Sequence, residues 1–156
     1  FNIEFVEEKK PLGTAGSLSL ISDKIKDMCI VTNCDTILKY DYTKIIDFHK
    51  KKMSLITIVA CKKNFKMPYG ECKIDSNSNL LNIKEKPSFN FLVNTGFYIL
   101  SKRAIKMIPK NKFYHITNLI EDAKSQGKKV GVFPIDDDDW IDVGEWSQYQ
   151  KAMDWL

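Results

Sequence analysis

An apolar segment, an amphipathic segment and a second apolar segment follow one another between residues 28 and 61, and their order strongly constrains the fold. Residues 28–32 have the composition of a buried strand. From Tyr42 to Lys52, apolar residues recur on one face of a helix, which predicts an amphipathic helix. Residues 55–61 form a continuous apolar run typical of a fully buried strand. This order predicts a βαβ unit with parallel strand pairing, and therefore an α/β domain.

The rest of the chain continues the alternation of strands and helices within a single unit. Residues 1–6 alternate like a strand, and residues 17–21 are compatible with a short helix. A polar turn at residues 76–79 predicts a hairpin. The remaining predicted strands are the hairpin strands at 70–75 and 80–85 and single strands at 91–100 and 130–133. Helices are predicted at 102–107 and at 116–123, and Gly127 suits the C-terminal cap of the helix at 116–123. A last amphipathic helix runs through Trp146, Tyr149, Met153 and Leu156.

The composition fits one domain with a substantial core and argues against a nucleic-acid interface. The chain has 156 residues, of which 44% are apolar and 12% aromatic, enough for one hydrophobic core. Its net charge is +4, but Arg103 is the only arginine, so the arginine forks that usually mark a nucleic-acid interface are missing. We expect a solvated, lysine-rich surface that favours anionic substrates.

The cysteines and the lack of a targeting segment predict a reducing compartment. Cys29, Cys34, Cys61 and Cys72 form no C-x-x-C pair and no metal-ligand spacing, and three of them lie in or beside apolar runs. The sequence has no apolar run of about 18 residues and no basic segment followed by an apolar one at its start. We therefore expect core thiols in a cytoplasmic protein that binds neither membrane nor nucleic acid.

Two apolar runs far apart in the sequence each end at an aspartate in a turn. Residues 28–35 end in an Asn-Cys-Asp turn, and residues 140–144 form a Trp-Ile-Asp-Val-Gly segment. A strand that stops at a polar turn places its last side chains at the carboxyl edge of a sheet, where open α/β folds bind ligands. Carboxylate oxygens are the ligands that hard divalent cations require. The sequence therefore predicts that Asp35 and Asp142 together bind a divalent cation.

Six short motifs occur in a fixed order along the whole chain. They are Pro-Leu-Gly-Thr-Ala-Gly at 11–16, Asn-Cys-Asp at 33–35, Pro-Tyr-Gly at 68–70, Glu-Lys-Pro at 85–87, Asn-Thr-Gly-Phe-Tyr at 94–98 and Trp-Ile-Asp-Val-Gly at 140–144. The set resembles the sugar-phosphate nucleotidyltransferases, and most closely their mannose-1-phosphate guanylyltransferase-like branch. The resemblance implies a Rossmann-like fold with a mixed, mainly parallel sheet flanked by helices.

The resemblance also implies roles for individual residues. Asp35 and Asp142 would bind Mg²⁺, and both would act in catalysis with Lys86, which would contact the sugar phosphate. The remaining implied site residues are Leu12, Gly13, Thr14 and Asn33 for the nucleotide, and Tyr69, Gly70, Glu85, Asn94 and Gly96 for the sugar.

The implied reaction joins a nucleoside triphosphate to a sugar 1-phosphate and releases pyrophosphate. The sugar-phosphate oxygen would attack the α-phosphorus in line, a step that depends on positioning and charge stabilisation and needs no protein nucleophile. We therefore predict structural roles for His49 and His115. GTP is the favoured nucleotide, with UTP and CTP as open alternatives.

The resemblance is incomplete at the start of the chain. The family begins with a glycine-rich loop whose arginine and lysine cradle the triphosphate, and no such segment occurs here. We expect residues 1–156 to be the C-terminal part of one nucleotidyltransferase catalytic domain that lacks its first strand, loop and helix. Such a fragment would be inactive alone, and the full-length protein would form a homo-oligomer.

Two other functional classes compete with this interpretation. The main alternative is a non-catalytic regulatory module of the same fold that binds a sugar nucleotide, but the presence of Asp35, Asp142 and Lys86 argues against it. A glycosyltransferase that consumes nucleotide sugars is disfavoured, because the Asn-Cys-Asp turn offers one carboxylate where an Asp-x-Asp motif offers two. The acidic run at residues 136–139 is interpreted as a solvated loop.

Overall fold

The computed structural model describes residues 2–144, 149–150 and 152–153. Its helices are α1 (Gly13–Gly16), α2 (Tyr42–Lys52), α3 (Lys102–Ile105) and α4 (Ile116–Ser125), with 3₁₀ turns at Ser17–Leu20 and Asp137–Asp139. Its strands are β1 (Met28–Thr32), β2 (Thr36–Leu38), β3 (Ile56–Lys66), β4 (Glu71–Ile74), β5 (Leu80–Lys84), β6 (Ser88–Ser101), β7 (Val130–Ile135) and β8 (Trp140–Asp142).

The central sheet has the strand order β1-β6-β3-β7. β6 runs antiparallel to both of its neighbours, whereas β3 and β7 are parallel, so β1, β3 and β7 point in the same direction. This arrangement confirms the predicted mixed sheet, in which three of the four strands share one direction although only the β3–β7 pair is directly parallel. The predicted direct pairing of β1 with β3 is wrong, because β6 lies between them. The second half of the 14-residue β6 is buried, and buried backbone N–H and C=O groups need partners, which β1 and β3 supply on its two edges.

Each face of the central sheet has its own hydrophobic core. Leu100 of β6 packs with Leu119 of α4 in one buried cluster, while the preceding Ile99 packs with Ile45 of α2 in the other. Successive residues of a strand point to opposite faces, so one strand supplies both cores. α2 begins at Asp41, whose Oδ1 accepts a 2.9 Å hydrogen bond from Thr43 N. The two clusters therefore hold α4 on one face of the sheet and α2 on the other.

Most predicted elements are confirmed, including the hairpin. β4 and β5 pair antiparallel, and Gly127 has φ +66° just after α4, as its capping role requires. The predicted strand at the start is wrong, because residues 2–7 are exposed and have no strand structure. An alternating pattern of apolar and polar residues does not form a strand unless a neighbouring strand supplies hydrogen-bond partners. Of the predicted last helix, residues 149–150 and 152–153 are helical, while Trp146 and Leu156 lie outside the described residues.

The four cysteines are unpaired, but only part of the predicted burial is found. Cys61 is buried and Cys29 is half-buried, whereas Cys34 and Cys72 are exposed. Burial raises the pKa of the Cys29 and Cys61 thiols above its ordinary value. The prediction of core thiols is therefore correct for β3 and partly correct for β1, and wrong for the two exposed positions. In the described part of the chain, no helix has the length and apolar character needed to cross a bilayer.

Candidate nucleotide and metal site

Asp35 and Asp142 lie beside the same glycine. β2 pairs with β8 so that Thr36 is opposite Asp142, and Val143 N donates a 2.9 Å hydrogen bond to the backbone carbonyl of Asp35. A methyl group added at Gly144 would lie 3.1 Å from Asp142 Oδ1 and 3.2 Å from Asp35 Oδ2. The two carboxylates therefore border one small open space that a side chain at Gly144 would fill.

The chemistry of this carboxylate pair fits a divalent cation. Mg²⁺ is commonly held by one or two carboxylates, with substrate phosphates and water completing an octahedral shell. Among the described residues, no third histidine, cysteine, aspartate or glutamate joins Asp35 and Asp142 to complete a protein-only metal cluster. Gly144 N donates a 3.0 Å hydrogen bond to Asp142 Oδ1, which fixes that carboxylate. The donor set thus suits Mg²⁺ together with a phosphorylated substrate.

The glycine-rich turn predicted to bind the nucleotide is held by a segment about a hundred positions later. The carbonyl oxygen of Tyr114 accepts hydrogen bonds from Ala15 N and Gly16 N, both 3.0 Å long, and Tyr114 N donates to Leu12 O at 2.8 Å. Gly13 has φ +77°, and a Cβ there would lie 2.8 Å from Tyr114 O. Both the backbone angle and this close approach require glycine. The turn is therefore rigid and closely packed against residues 112–116.

Two residues for which the sequence predicts no site role contact this turn. Glu8 Oε2 accepts a 2.9 Å hydrogen bond from Leu12 N, and His115 Nδ1 lies 3.5 Å from Thr14 N. Glu7 and Glu8 are adjacent in the sequence, and nothing in the sequence indicates which of them contacts the turn. His115 lies 101 positions from Thr14. A single sequence contains no signal for either contact, so only the structure reveals them.

The predicted sugar-side residues fall into two groups. Tyr69 and Gly70 precede the hairpin, and a Cβ at Gly70 would lie 3.1 Å from Glu85 Oε2. Lys86 follows Glu85 with a positive φ of 42° and an exposed side chain, while Met67 N donates a 2.9 Å hydrogen bond to Pro87 O. This hydrogen bond brings the two ends of the hairpin together, so the first group lies at its base.

The second group lies where β6 approaches the end of β1. Asn94 Nδ2 donates a 2.6 Å hydrogen bond to the hydroxyl of Tyr98, and Gly96 N donates to Asn94 Oδ1 at 3.2 Å. Asn33 N donates a 3.0 Å hydrogen bond to Gly96 O, and a Cβ at Gly96 would lie 2.6 Å from Asn33 Nδ2. Gly96 is buried and lies directly beneath Asn33. Asn33 in turn precedes Asp35 by two residues in the sequence. The structure thus links the Asn94 segment to the candidate metal site.

The acidic run at 136–139 is more ordered than a simple solvated loop. It forms a 3₁₀ turn, and Asp136 pairs with Lys62 Nζ at 2.9 Å while Asp137 pairs with Lys63. The hydrogen bond and charge of Asp136 raise the pKa of Lys62. Lys63 also lies 5.1 Å from the ring centre of Trp140. Exposed ion pairs of this kind add little stability, but they join the turn before β8 to the end of β3.

A mixed sheet with helices on both faces and ligand-type side chains after its strands defines the Rossmann-like class of α/β proteins. The nucleotidyl transferase family model matches residues 1–156. The chain therefore belongs to the nucleotidyl transferase family.

Individual relatives and a solved structure agree with this family. A mannose-1-phosphate guanyltransferase of Saccharomyces cerevisiae is 38% identical over 69% of this chain and 32% of its own length. A UTP–glucose-1-phosphate uridylyltransferase of Synechocystis is 27% identical over 92% of this chain and 39% of its own length. The crystal structure of HddC from Yersinia pseudotuberculosis complexed with GMP-PN matches with a TM-score of 0.68 at 26% identity, covering 97% of this chain and 65% of that one. This chain therefore spans well under half the length of these two curated relatives.

Proposed function

We propose that the complete protein transfers a nucleotidyl group from a nucleoside triphosphate, preferably GTP, to a sugar 1-phosphate and releases pyrophosphate. The observation that carries this proposal is the meeting of Asp35 and Asp142 beside Gly144 in a chain of the nucleotidyl transferase family. A non-catalytic module that only binds a sugar nucleotide has no need for such a pair. The pair therefore favours catalysis over regulation.

In this mechanism the protein mainly binds and orients the two substrates. Asp35 and Asp142 would hold Mg²⁺, which supplies charge neutralisation at the crowded phosphates. Lys86, exposed at the base of the hairpin, would bind the sugar phosphate as a point charge. The fixed turn at 12–14 would hold the nucleobase. Correct alignment of the attacking oxygen then accounts for most of the rate, because the reaction requires no protein nucleophile.

The sugar would be oriented by groups that differ in their hydrogen-bonding capacity. The Glu85 carboxylate accepts only, the Asn94 amide both donates and accepts, and Gly70 allows close approach to the backbone. The contact of Gly70 with Glu85 supports this grouping. We propose that Tyr69 and Gly96 complete this side of the site, Tyr69 through its exposed ring and Gly96 by supporting Asn33.

Glu8 supports the choice of guanine. Its carboxylate is held against the turn by Leu12 N, and a carboxylate can only accept hydrogen bonds. Guanine presents two adjacent donors, N1–H and the N2 amino group, whereas uracil presents a single N–H between two carbonyl groups. The guanyltransferase relative and the neighbour complexed with GMP-PN agree with this assignment, and the uridylyltransferase relative represents the competing base.

Replacing Glu8 with Gln is expected to reduce the preference for GTP over UTP by about tenfold to a hundredfold, since an amide can pair with the mixed edge of uracil. The quantity to measure is the ratio of kcat/KM for the two nucleotides. Glu7→Gln, the same change at the exposed neighbouring position, is the control and should leave the ratio unchanged. Equal effects of the two substitutions would remove Glu8 from base recognition.

Pyrophosphate release from the complete protein is the direct test of the proposed function. Four nucleoside triphosphates would each be paired with several sugar 1-phosphates in the presence of Mg²⁺. We expect turnover with GTP and one sugar 1-phosphate, and loss of turnover when the metal is chelated. Nucleotide binding without turnover for any pair would contradict catalysis and favour the regulatory module.

A further inference from the structure

Residues 112–116 form the surface on which the candidate nucleotide turn is built. The backbone of Tyr114 makes hydrogen bonds to Leu12, Ala15 and Gly16, so both ends of the turn are held. Between those ends, Thr14 is exposed and is contacted by the side chain of His115. Because Thr14 belongs to the turn at 12–14 that is proposed to hold the nucleobase, the support of Thr14 matters for binding.

The hydrogen bonds around Thr14 involve Nδ1 of the His115 ring. Thr14 N and Thr14 Oγ1 lie 3.5 Å and 3.4 Å from His115 Nδ1. Thr14 Oγ1 also accepts a 3.0 Å hydrogen bond from Ile116 N, which leaves its own proton free to point at the ring. Nδ1 is thus placed to accept the Thr14 backbone N–H, with the Thr14 hydroxyl beside it.

The His115 ring is itself held by its surroundings. The ring of Phe113 packs against it at 4.7 Å in an edge-to-face arrangement. The hydroxyl of the neighbouring Tyr114 donates to Asp122 of α4, which ties the segment that carries His115 to this helix; burial together with this carboxylate raises the pKa of Tyr114 to about 12. A side chain fixed by a second set of contacts can fix the group it touches.

We propose that His115 is a positioning residue for nucleotide binding, whose ring holds Thr14 so that the backbone of the turn faces the base in its binding geometry. This inference rests on the proposed function, because it assigns the turn to the nucleoside triphosphate. It replaces the purely structural role predicted for His115 and leaves that prediction for His49, which is buried and bonded to Thr57 Oγ1 at 2.7 Å. His115 acts through Thr14 and does not itself need to touch the reacting atoms.

The test compares His115→Ala and His115→Asn with Asn118→Ala in the full-length protein. His115→Ala should raise the dissociation constant and the KM for GTP by about fivefold to twentyfold, the range expected when a ligand-orienting hydrogen bond is lost. The kcat and the KM for the sugar 1-phosphate should stay within about twofold. His115→Asn should restore most of the affinity, because an amide oxygen can replace Nδ1 as the acceptor.

Asn118→Ala separates positioning from simple support of α4. It removes the partner of His115 N at the start of the helix but leaves the ring and its contact with Thr14, so nucleotide affinity should hardly change. A double-mutant cycle of His115→Ala with Thr14→Val should be strongly non-additive. Equal loss of affinity for both substrates, or no change in the dissociation constant for GTP, would overturn the role of His115. A wild-type protein that binds no nucleoside triphosphate would overturn the proposed function as well.

Discussion

Replacing Asp35 with Asn in the full-length protein should reduce kcat for pyrophosphate release by about a hundredfold to a thousandfold, the usual cost of losing one group that stabilises charge in the transition state. The amide keeps the size of the side chain, and the backbone hydrogen bond from Val143 to Asp35 is unaffected, so the fold should persist. What is lost is one of the two charges beside Gly144. The measurement is kcat across a Mg²⁺ titration, with thermal unfolding as a check on folding.

Two further variants make this result specific. Asp138→Asn makes the same chemical change in the nearby 3₁₀ turn and should leave turnover unchanged. Gly144→Ala retains both carboxylates but places a methyl group within 3.2 Å of an oxygen of each, so it should weaken Mg²⁺ binding by steric exclusion. Full turnover of Asp35→Asn at every Mg²⁺ concentration would show that Asp35 is not a metal ligand.

Replacing Gly13 with Ala should lower the free energy of unfolding by about 2–4 kcal/mol and weaken nucleotide binding. Two costs combine here. An alanine at φ +77° is strained, and its Cβ would lie 2.8 Å from the carbonyl oxygen of Tyr114, a backbone atom that cannot move aside as a flexible side chain can. Thermal or denaturant unfolding of the full-length protein measures the loss.

Gly127→Ala is the matched control for the strain component. Gly127 has a similar φ of +66°, but no atom lies within 4 Å of the position that its Cβ would occupy. This variant should therefore lose only about 1 kcal/mol, the lower end of the range for a strained backbone angle. If both variants lost equal stability, the close packing of the turn on Tyr114 would not contribute to the fold.

Local patterns in the sequence predict most of the helices and strands, but they do not predict which strands pair with each other in the sheet. The apolar periodicity of α2 and the polar turn between β4 and β5 are properties of short segments, and both predictions are confirmed. The position of β6 in the sheet depends on tertiary packing, so the strand order β1-β6-β3 could not be read from chain order. The alternation at the start of the chain was misleading, because residues 2–7 have no strand structure.

In the candidate site too, some features follow from local sequence and others depend on tertiary packing. The rule that strands end at ligand-binding edges predicts a meeting of Asp35 and Asp142, and the structure does bring them together beside Gly144. The pairing of β2 with β8, which achieves this, involves strands of three residues each, too short for a periodic signal. The contact of Thr14 with His115 spans 101 positions and depends on how α4 docks, which a single sequence does not encode in any local pattern.

The strand order also determines when this sheet can form during synthesis. Both neighbours of β3 in the sheet, β6 and β7, come later in the chain, and β1 likewise pairs with β6. At translation rates of roughly 5–20 residues per second, about 2–7 s pass between the end of β3 and the end of β6. During that interval the nascent chain exposes two unpaired strand edges, which are templates for aggregation. A domain whose strands pair in the order in which they are made leaves such edges unpaired for a shorter time.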